Sequence, residues 1–153
     1  MPAPKKTQNG TQRSSHPTDS NQLTLEWLPG QFAIVRLEPG PPLPPWCQIN
    51  ESAPSPRSGL LSITRTANEL SIVIDEVCVP ADVKAQRGFA GVRIAGTLDF
   101  SIVGVLAKLT GALAEAKVPV FAISTHDTDV LLIRAGDTQR ARLALQKVAR
   151  LEQ

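Results

Sequence analysis

An α+β fold of two βαββαβ units is predicted by three observations. The order of apolar segments recurs at an offset of sixty residues, residues 101–116 form a strongly amphipathic helix, and two pairs of β-branched runs have hairpin spacing. At that offset Phe32–Val35 aligns with Val92–Ala95, Leu60–Thr66 with Val120–His126, and Leu70–Val73 with Val130–Ile133. The segment after Pro80 aligns with the helix after Asp137. One connection breaks the repeat: prolines stand in the first half where a full helix stands in the second. The first unit is therefore expected to be degenerate, with helices on one face of antiparallel sheets.

Each element follows from local chemistry. Residues 1–22 are rich in Ser, Thr, Gln, Asn and Pro, with few side chains to bury, which predicts a disordered tail. Leu23, Leu25 and Trp27 alternate with Thr24 and Glu26, a strand that ends at the Pro29-Gly30 turn. Phe32–Leu37 reads as a buried strand. Residues 38–59 carry Pro41, Pro42, Pro44, Pro45, Pro54 and Pro56, which exclude helix and central strand and leave a long loop. Pro41–Pro44 also fits a PxxP segment, the alternative reading of the same composition. Leu60–Thr66 and Leu70–Asp75 make a hairpin across Ala67-Asn68-Glu69. Pro80 opens a short helix, Ala81–Gln86, that ends near Gly88.

Phe89–Ala95 is the next strand, closed by Gly96, and can serve as the last of one unit and the first of the other. The division is 23–88 for the first unit and 89–151 for the second. The chain is then one strand short of two copies. The missing edge comes either from Leu23–Leu28 or from a second subunit. Ile102, Val105, Leu106, Leu109, Leu113 and Ala116 supply the apolar stripe of the long helix, with Asp99 and Ser101 as candidate caps. Opposite lie Gly104, Ala107, Gly111 and Ala114. These are either small residues tolerated on an exposed face or room for another backbone, since two glycines weaken a helix without local return. Val118-Pro119 ends the helix, and Val120–Thr125 with Val130–Arg134 form a second hairpin around residues 126–129. Asp137 is expected to cap a final helix that turns Ala141, Leu145 and Val148 inward.

Composition narrows the function. A net charge of +2, with scattered basic residues, four Phe, two Trp and no Tyr, excludes a basic–aromatic nucleic-acid face. No run nears the roughly 18 apolar residues of a membrane span, and no secretory leader is expected. Cys47 and Cys78 show neither CxxC spacing nor nearby His, so two free thiols in a reducing, cytoplasmic setting are expected, a single cross-link being the alternative. No metal cluster, phosphate loop or cofactor motif is present in the sequence. His126 beside Asp127 is the one acid–base pair, adjacent turn residues are expected to point apart, and Ser124 completes no triad.

The polar loops converge beside a helix N-terminus instead, an arrangement that suits a small charged ligand. Helix amides around 101–104 favour a carboxylate, and Gly104 permits close approach. Asp127 or Asp129 can pair with an ammonium or basic side chain, and Ser124 and Thr125 offer neutral hydrogen bonds. The simpler roles are helix capping for Asp99 and Ser101 and turn formation for Asp127 and Asp129.

Residues Gly96–Leu106 and Phe121–Leu132, with Leu28-Pro29-Gly30, Ser62–Thr66 and Glu69–Val73 upstream, resemble small ACT-domain proteins. The resemblance is nearest to the branch that shares its ACT pair with cytosolic arginine sensors and aspartate-kinase regulatory regions, and it runs from about Leu25 to Val148. It implies tandem ferredoxin-like ACT units packed side by side, with an amino acid bound between them. Carried over residue by residue, the contacts are Asp99, Phe100, Ser101, Ile102 and Gly104, with Ile123, Ser124, Thr125, Asp127 and Asp129. Val130 and His126 stand where that pattern has Tyr. The implied function is a non-enzymatic sensor of a free amino acid or similar ligand, without cofactor, acting as a homo-oligomer or through a regulatory protein partner. The alternative is a scaffold that keeps the fold without the ligand.

Overall fold

The computed structural model describes residues 23–47, 59–99 and 101–152; the expected tail, Phe100 and most of the second half of the proline-rich loop lie outside that range. Its strands are β1 (Thr24–Trp27), β2 (Phe32–Leu37), β3 (Leu61–Arg65), β4 (Leu70–Asp75), β5 (Gln86–Ile94), β6 (Val120–Ser124), β7 (Asp129–Arg134) and β8 (Arg150–Glu152). The helices are α1 (Val105–Glu115) and α2 (Thr138–Leu145).

β5 organises the sheet. Along one edge its first residues meet β2, with Phe89 opposite Phe32, and its last residues meet β1, with Ile94 opposite Leu25. Along the other edge it pairs with β7, from Phe89↔Arg134 to Arg93↔Val130. β4 and then β3 extend the β2 side, β6 extends β7, and β8 lies parallel to β1. The lateral order β5-β2-β4-β3 is fourth-first-third-second, the ferredoxin-like order, so β5 serves both units. The second unit repeats that order with one insertion, β8-β1-β5-β7-β6. The edge missing from the sequence pattern is thus filled from within the chain: β1 slots between β5 and a short β8.

Two expectations need correction. The hairpins start at Leu61 and Val120, and their second strands at Leu70 and Asp129, an offset of 59 instead of sixty. β4 and β7 are apolar on both faces, so alternation does not fix a one-residue register there. The helix expected over Ala81–Gln86 does not form. Pro80 starts a single turn, closed by Val83 N to Pro80 O at 3.1 Å, and β5 takes Gln86 as its first residue. The Arg87 guanidinium, 2.7 Å from the Pro80 carbonyl, satisfies turn groups that a helix would have paired.

The core has three parts. Leu109 and Leu113 of α1 and Ala141 and Leu145 of α2 pack on Leu25, Val92, Ile94, Leu131 and Ile133. Each fully buried Leu contributes about 1.5–3 kcal/mol. On the same side of the sheet, Ala33, Val35, Leu70, Ile72 and Ile74 are covered by Leu43 and Trp46, so the proline-rich loop replaces the first unit's helix. The opposite side buries Phe32, Val73, Phe89, Val130 and Leu132. Helix α1 stops at a Schellman turn: Lys117 adopts φ 55°, and Val118 N reaches back to Leu113 O at 2.9 Å.

Candidate functional site

The segment between β5 and α1 is a loop, not the start of a helix. Gly104, at φ 83°, is the N-cap of α1, and no side chain caps it. The amides of Val105, Leu106 and Ala107 therefore lack intrahelical acceptors. Asp99 and Ser101, the expected caps, instead close a turn of their own: Asp99 Oδ1 accepts from Ser101 N at 2.8 Å, and Ile102 N donates to Asp99 O at 3.0 Å. The Ser101 hydroxyl and then its amide hold the Asp99 carboxyl below the usual aspartate range. Ile102, expected on the buried stripe, is 53% exposed and Val103 is 90% exposed. The left-handed turn at Gly104 rotates them out of the helix repeat.

The β6–β7 turn is self-contained. Thr125 N donates to Thr128 O at 2.9 Å, and Thr128 N returns to Thr125 Oγ1 at 3.2 Å. Ser124 Oγ donates to Asp129 Oδ1 at 2.6 Å, across the last pair of the hairpin. His126 Nδ1 lies 2.7 Å from Asp127 Oδ1, so these adjacent side chains meet, contrary to the expectation that they point apart. Both stay largely in solvent, and the Ser124 hydroxyl is directed to Asp129.

Two bonds tie this turn to the loop after β5. Leu98 N donates to Asp127 O and Thr128 Oγ1 donates to Ile94 O, both at 2.7 Å. The structure therefore brings Asp99, Ser101, Ile102 and Gly104 to the same end of the sheet as Ser124, Thr125, Asp127 and Asp129. It separates Ile123, which faces the other side and packs against the Phe32 cluster; strand alternation requires this split from Ser124. Phe100 lies outside the described residues. Thr128 and Leu98 were missed by sequence reasoning. Thr128 had a signal, a hydroxyl residue facing Thr125 across a tight polar turn; Leu98 acts through its backbone and had none.

Segments 95–104 and 124–129 contain Asp99, Asp127 and Asp129 but no Lys or Arg. The chemistry on offer is open helix amides for an anionic group and carboxylates for a cationic one. Among the described residues no three potential metal ligands gather. A cavity of about 190 Å³ lies elsewhere, lined by Gly30, Gln31, Asp75, Glu76 and Val77. There the buried Asp75 accepts from Val77 N at 3.3 Å and starts the turn after β4.

Residues 84–147, spanning β5 to α2, match the family model of the ACT domain. By that match this segment of the chain is similar to ACT domains. A second family model, of an N-terminal domain, matches residues 30–82. No curated protein matches the chain. Among solved structures it is similar to an Agrobacterium tumefaciens protein, 29% identical with a TM-score of 0.74, over 86% of this chain and 95% of that one. It is also similar to the ligand-free regulatory subunit of aspartate kinase from Thermus thermophilus, 14% identical with a TM-score of 0.51, over 83% and 96%. Clostridium acetobutylicum aspartate kinase gives 12% identity and a TM-score of 0.56, over 81% of this chain and 33% of the kinase. At such identity the two kinases carry the fold alone. No helix among the described residues is long and apolar enough to cross a membrane.

Proposed function

We propose that this chain is a non-enzymatic, cytoplasmic regulatory module. Its first unit, 23–88, and second unit, 89–151, hold one small ligand, an amino acid, and it acts through dimerisation or a protein partner. The observation that carries the reading is the tie between Leu98 and Asp127, which sets the open amides of α1 at the same end as an acidic turn. An amino acid has both complements: its α-carboxylate suits the amides, and its ammonium suits Asp127 or Asp129. Exposed Ile102 offers an apolar contact at the same end.

A second reading, a ligand-free scaffold, is favoured by one feature. The turn's polar groups already satisfy each other, Ser124 with Asp129 and His126 with Asp127. A thermal-shift screen against the proteinogenic amino acids separates the two. A ligand that binds the folded state at a hundredfold excess over its Kd adds about 2.7 kcal/mol of stability. One amino acid should raise Tm, and Asp127→Ala should abolish the gain; a flat panel supports the scaffold.

A further inference from the structure

The cavity beside Asp75 holds a charge that the fold does not need there. Asp75 is 1% exposed, the one buried charged side chain among the described residues, and it lines the cavity of about 190 Å³ with Gly30, Gln31, Glu76 and Val77. Burying a carboxylate is costly. Its local duty is small: Asp75 Oδ1 accepts from Val77 N at 3.3 Å and caps a single turn. The second unit forms the same turn without a carboxylate. Asp75 stands opposite Phe32 of β2 as Arg134 stands opposite Phe89 of β5. The two residues start their turns with one backbone geometry, φ −52° and ψ 128° for Asp75, φ −53° and ψ 133° for Arg134, and Arg134 makes no side-chain cap. There the chain supplies its own cation: the Arg134 guanidinium lies 4.2 Å over the Phe89 ring and donates to Arg87 O at 3.0 Å. The first unit has a buried carboxylate and open space instead.

The walls are held in place by the fold. Glu76 N donates to Gln31 O at 2.7 Å. The register of β5 on β2 slips between Phe32 and Ile34, and Gly88 N, at that slip, donates to Glu76 Oε2 at 2.6 Å. Gly30, at φ 80°, keeps the space open, because a Cβ there would sit 3.1 Å from Asp75 Oδ2. The Arg87 guanidinium is committed to the neighbouring turn, on the Glu76, Val79 and Pro80 carbonyls. The lining thus offers two carboxylates, the Gln31 side chain and Val77, which is 65% exposed, and it contains no lysine or arginine. A carboxylate accepts up to about four hydrogen bonds, so an ammonium adds to those Asp75 already makes. The volume falls below the roughly 300–1,000 Å³ of drug-sized pockets, which selects a small molecule. We infer that this cavity binds a short-chain primary alkylammonium, its nitrogen on the Asp75 and Glu76 carboxylates and its carbons against Val77. The site is separate from the Asp127 turn: Gly88, near the start of β5, meets Glu76, whereas Ile94, at its end, meets Thr128. It stands without the amino-acid reading.

The experiment is an amide NMR titration of the full chain with ethylammonium chloride, against sodium chloride at equal ionic strength. Saturable shifts are expected at the Gly30, Gln31, Glu76 and Val77 amides, and sodium chloride should not reproduce them. Asp75→Asn keeps the shape, removes the charge and should raise the ethylammonium Kd at least about tenfold. Gln31→Lys alters an exposed side chain, so Tm should hold, while its own ammonium at the cavity should abolish the saturable shifts. This second variant carries the test if Asp75→Asn does not fold. Shifts that never saturate, that centre on the Asp127 turn, or that sodium chloride reproduces overturn the inference. So does an unchanged ethylammonium Kd in folded Asp75→Asn or in Gln31→Lys.

Discussion

The Thr128 hydroxyl donates to the Ile94 carbonyl at 2.7 Å, across 34 positions of sequence. That carbonyl belongs to the last residue of β5, and Thr128 is the last residue of the β6–β7 turn before β7. With the Leu98–Asp127 bond it forms a two-point clamp, so the loop before α1 cannot move without the turn. Thr128→Val keeps the shape and removes the hydroxyl donor from that carbonyl. The expected loss is about 1 kcal/mol in urea unfolding, with an unchanged m-value. Amide exchange at Leu98 should quicken in the same variant. Unchanged Leu98 protection would show that the two bonds hold independently.

Gly91 is required by packing, not by backbone conformation. A Cβ there would sit 2.7 Å from the Phe32 ring and 3.2 Å from Leu28 Cδ1. Phe32 is fully buried, so its ring cannot swing aside. Gly91→Ala should destabilise by about 1–3 kcal/mol in thermal or denaturant unfolding. A second change, Phe32→Leu, opens the space, so the double variant should lose less than the two single losses added. Strict additivity would mean the methyl group is accommodated elsewhere.

The sequence exposed the framework because the strands and α1 bury aliphatic side chains at fixed periods. β4 was legible to the residue, since Leu70–Asp75 is bounded by turn residues at both ends. The misreadings share one cause, tertiary competition for a locally ambiguous segment. Ile102 fits the helical spacing, yet Gly104 takes a left-handed conformation and α1 begins after it. Residues 81–86 had a helix start in Pro80, but β2 claimed Gln86 for the sheet. Strand β8, at Arg150–Glu152, exists only because β1 is there to pair with it. At the site, residue types identified the two loops, whereas the division of Ile123 from Ser124 between faces needed the register of β6 on β7. The clamp was illegible because one of its bonds is purely backbone.

Gly111 has no such packing reason within one copy. A Cβ added there meets nothing within 4 Å, and the position lies on the exposed face of α1. Gly111→Ala should therefore stabilise the chain by about 1 kcal/mol, the difference in helix propensity. Thermal unfolding of wild type and variant at equal concentration measures it. A loss instead of a gain would mean that something packs against this face in solution, and sedimentation of the same two samples would reveal it.

Asp99 is the acidic group whose titration the fold perturbs downward, chiefly through the Ser101 hydroxyl and then the Ser101 amide. A depressed folded-state value means the unfolded chain binds the proton more readily. The stabilisation is thus complete above the ordinary aspartate range and lost as pH falls through the lowered value. The carboxylate is fully exposed, so the effect on global stability is small and the site-specific titration is the sensitive measurement. Carboxyl NMR should place the Asp99 midpoint below the ordinary 3.8. Ser101→Ala should move it part of the way back, because the amide bond remains after the hydroxyl has gone. An Asp99 midpoint indifferent to Ser101→Ala would mean that the Ser101 amide alone depresses it, and the turn would keep both of its closing bonds, Ser101 N to Asp99 Oδ1 and Ile102 N to Asp99 O.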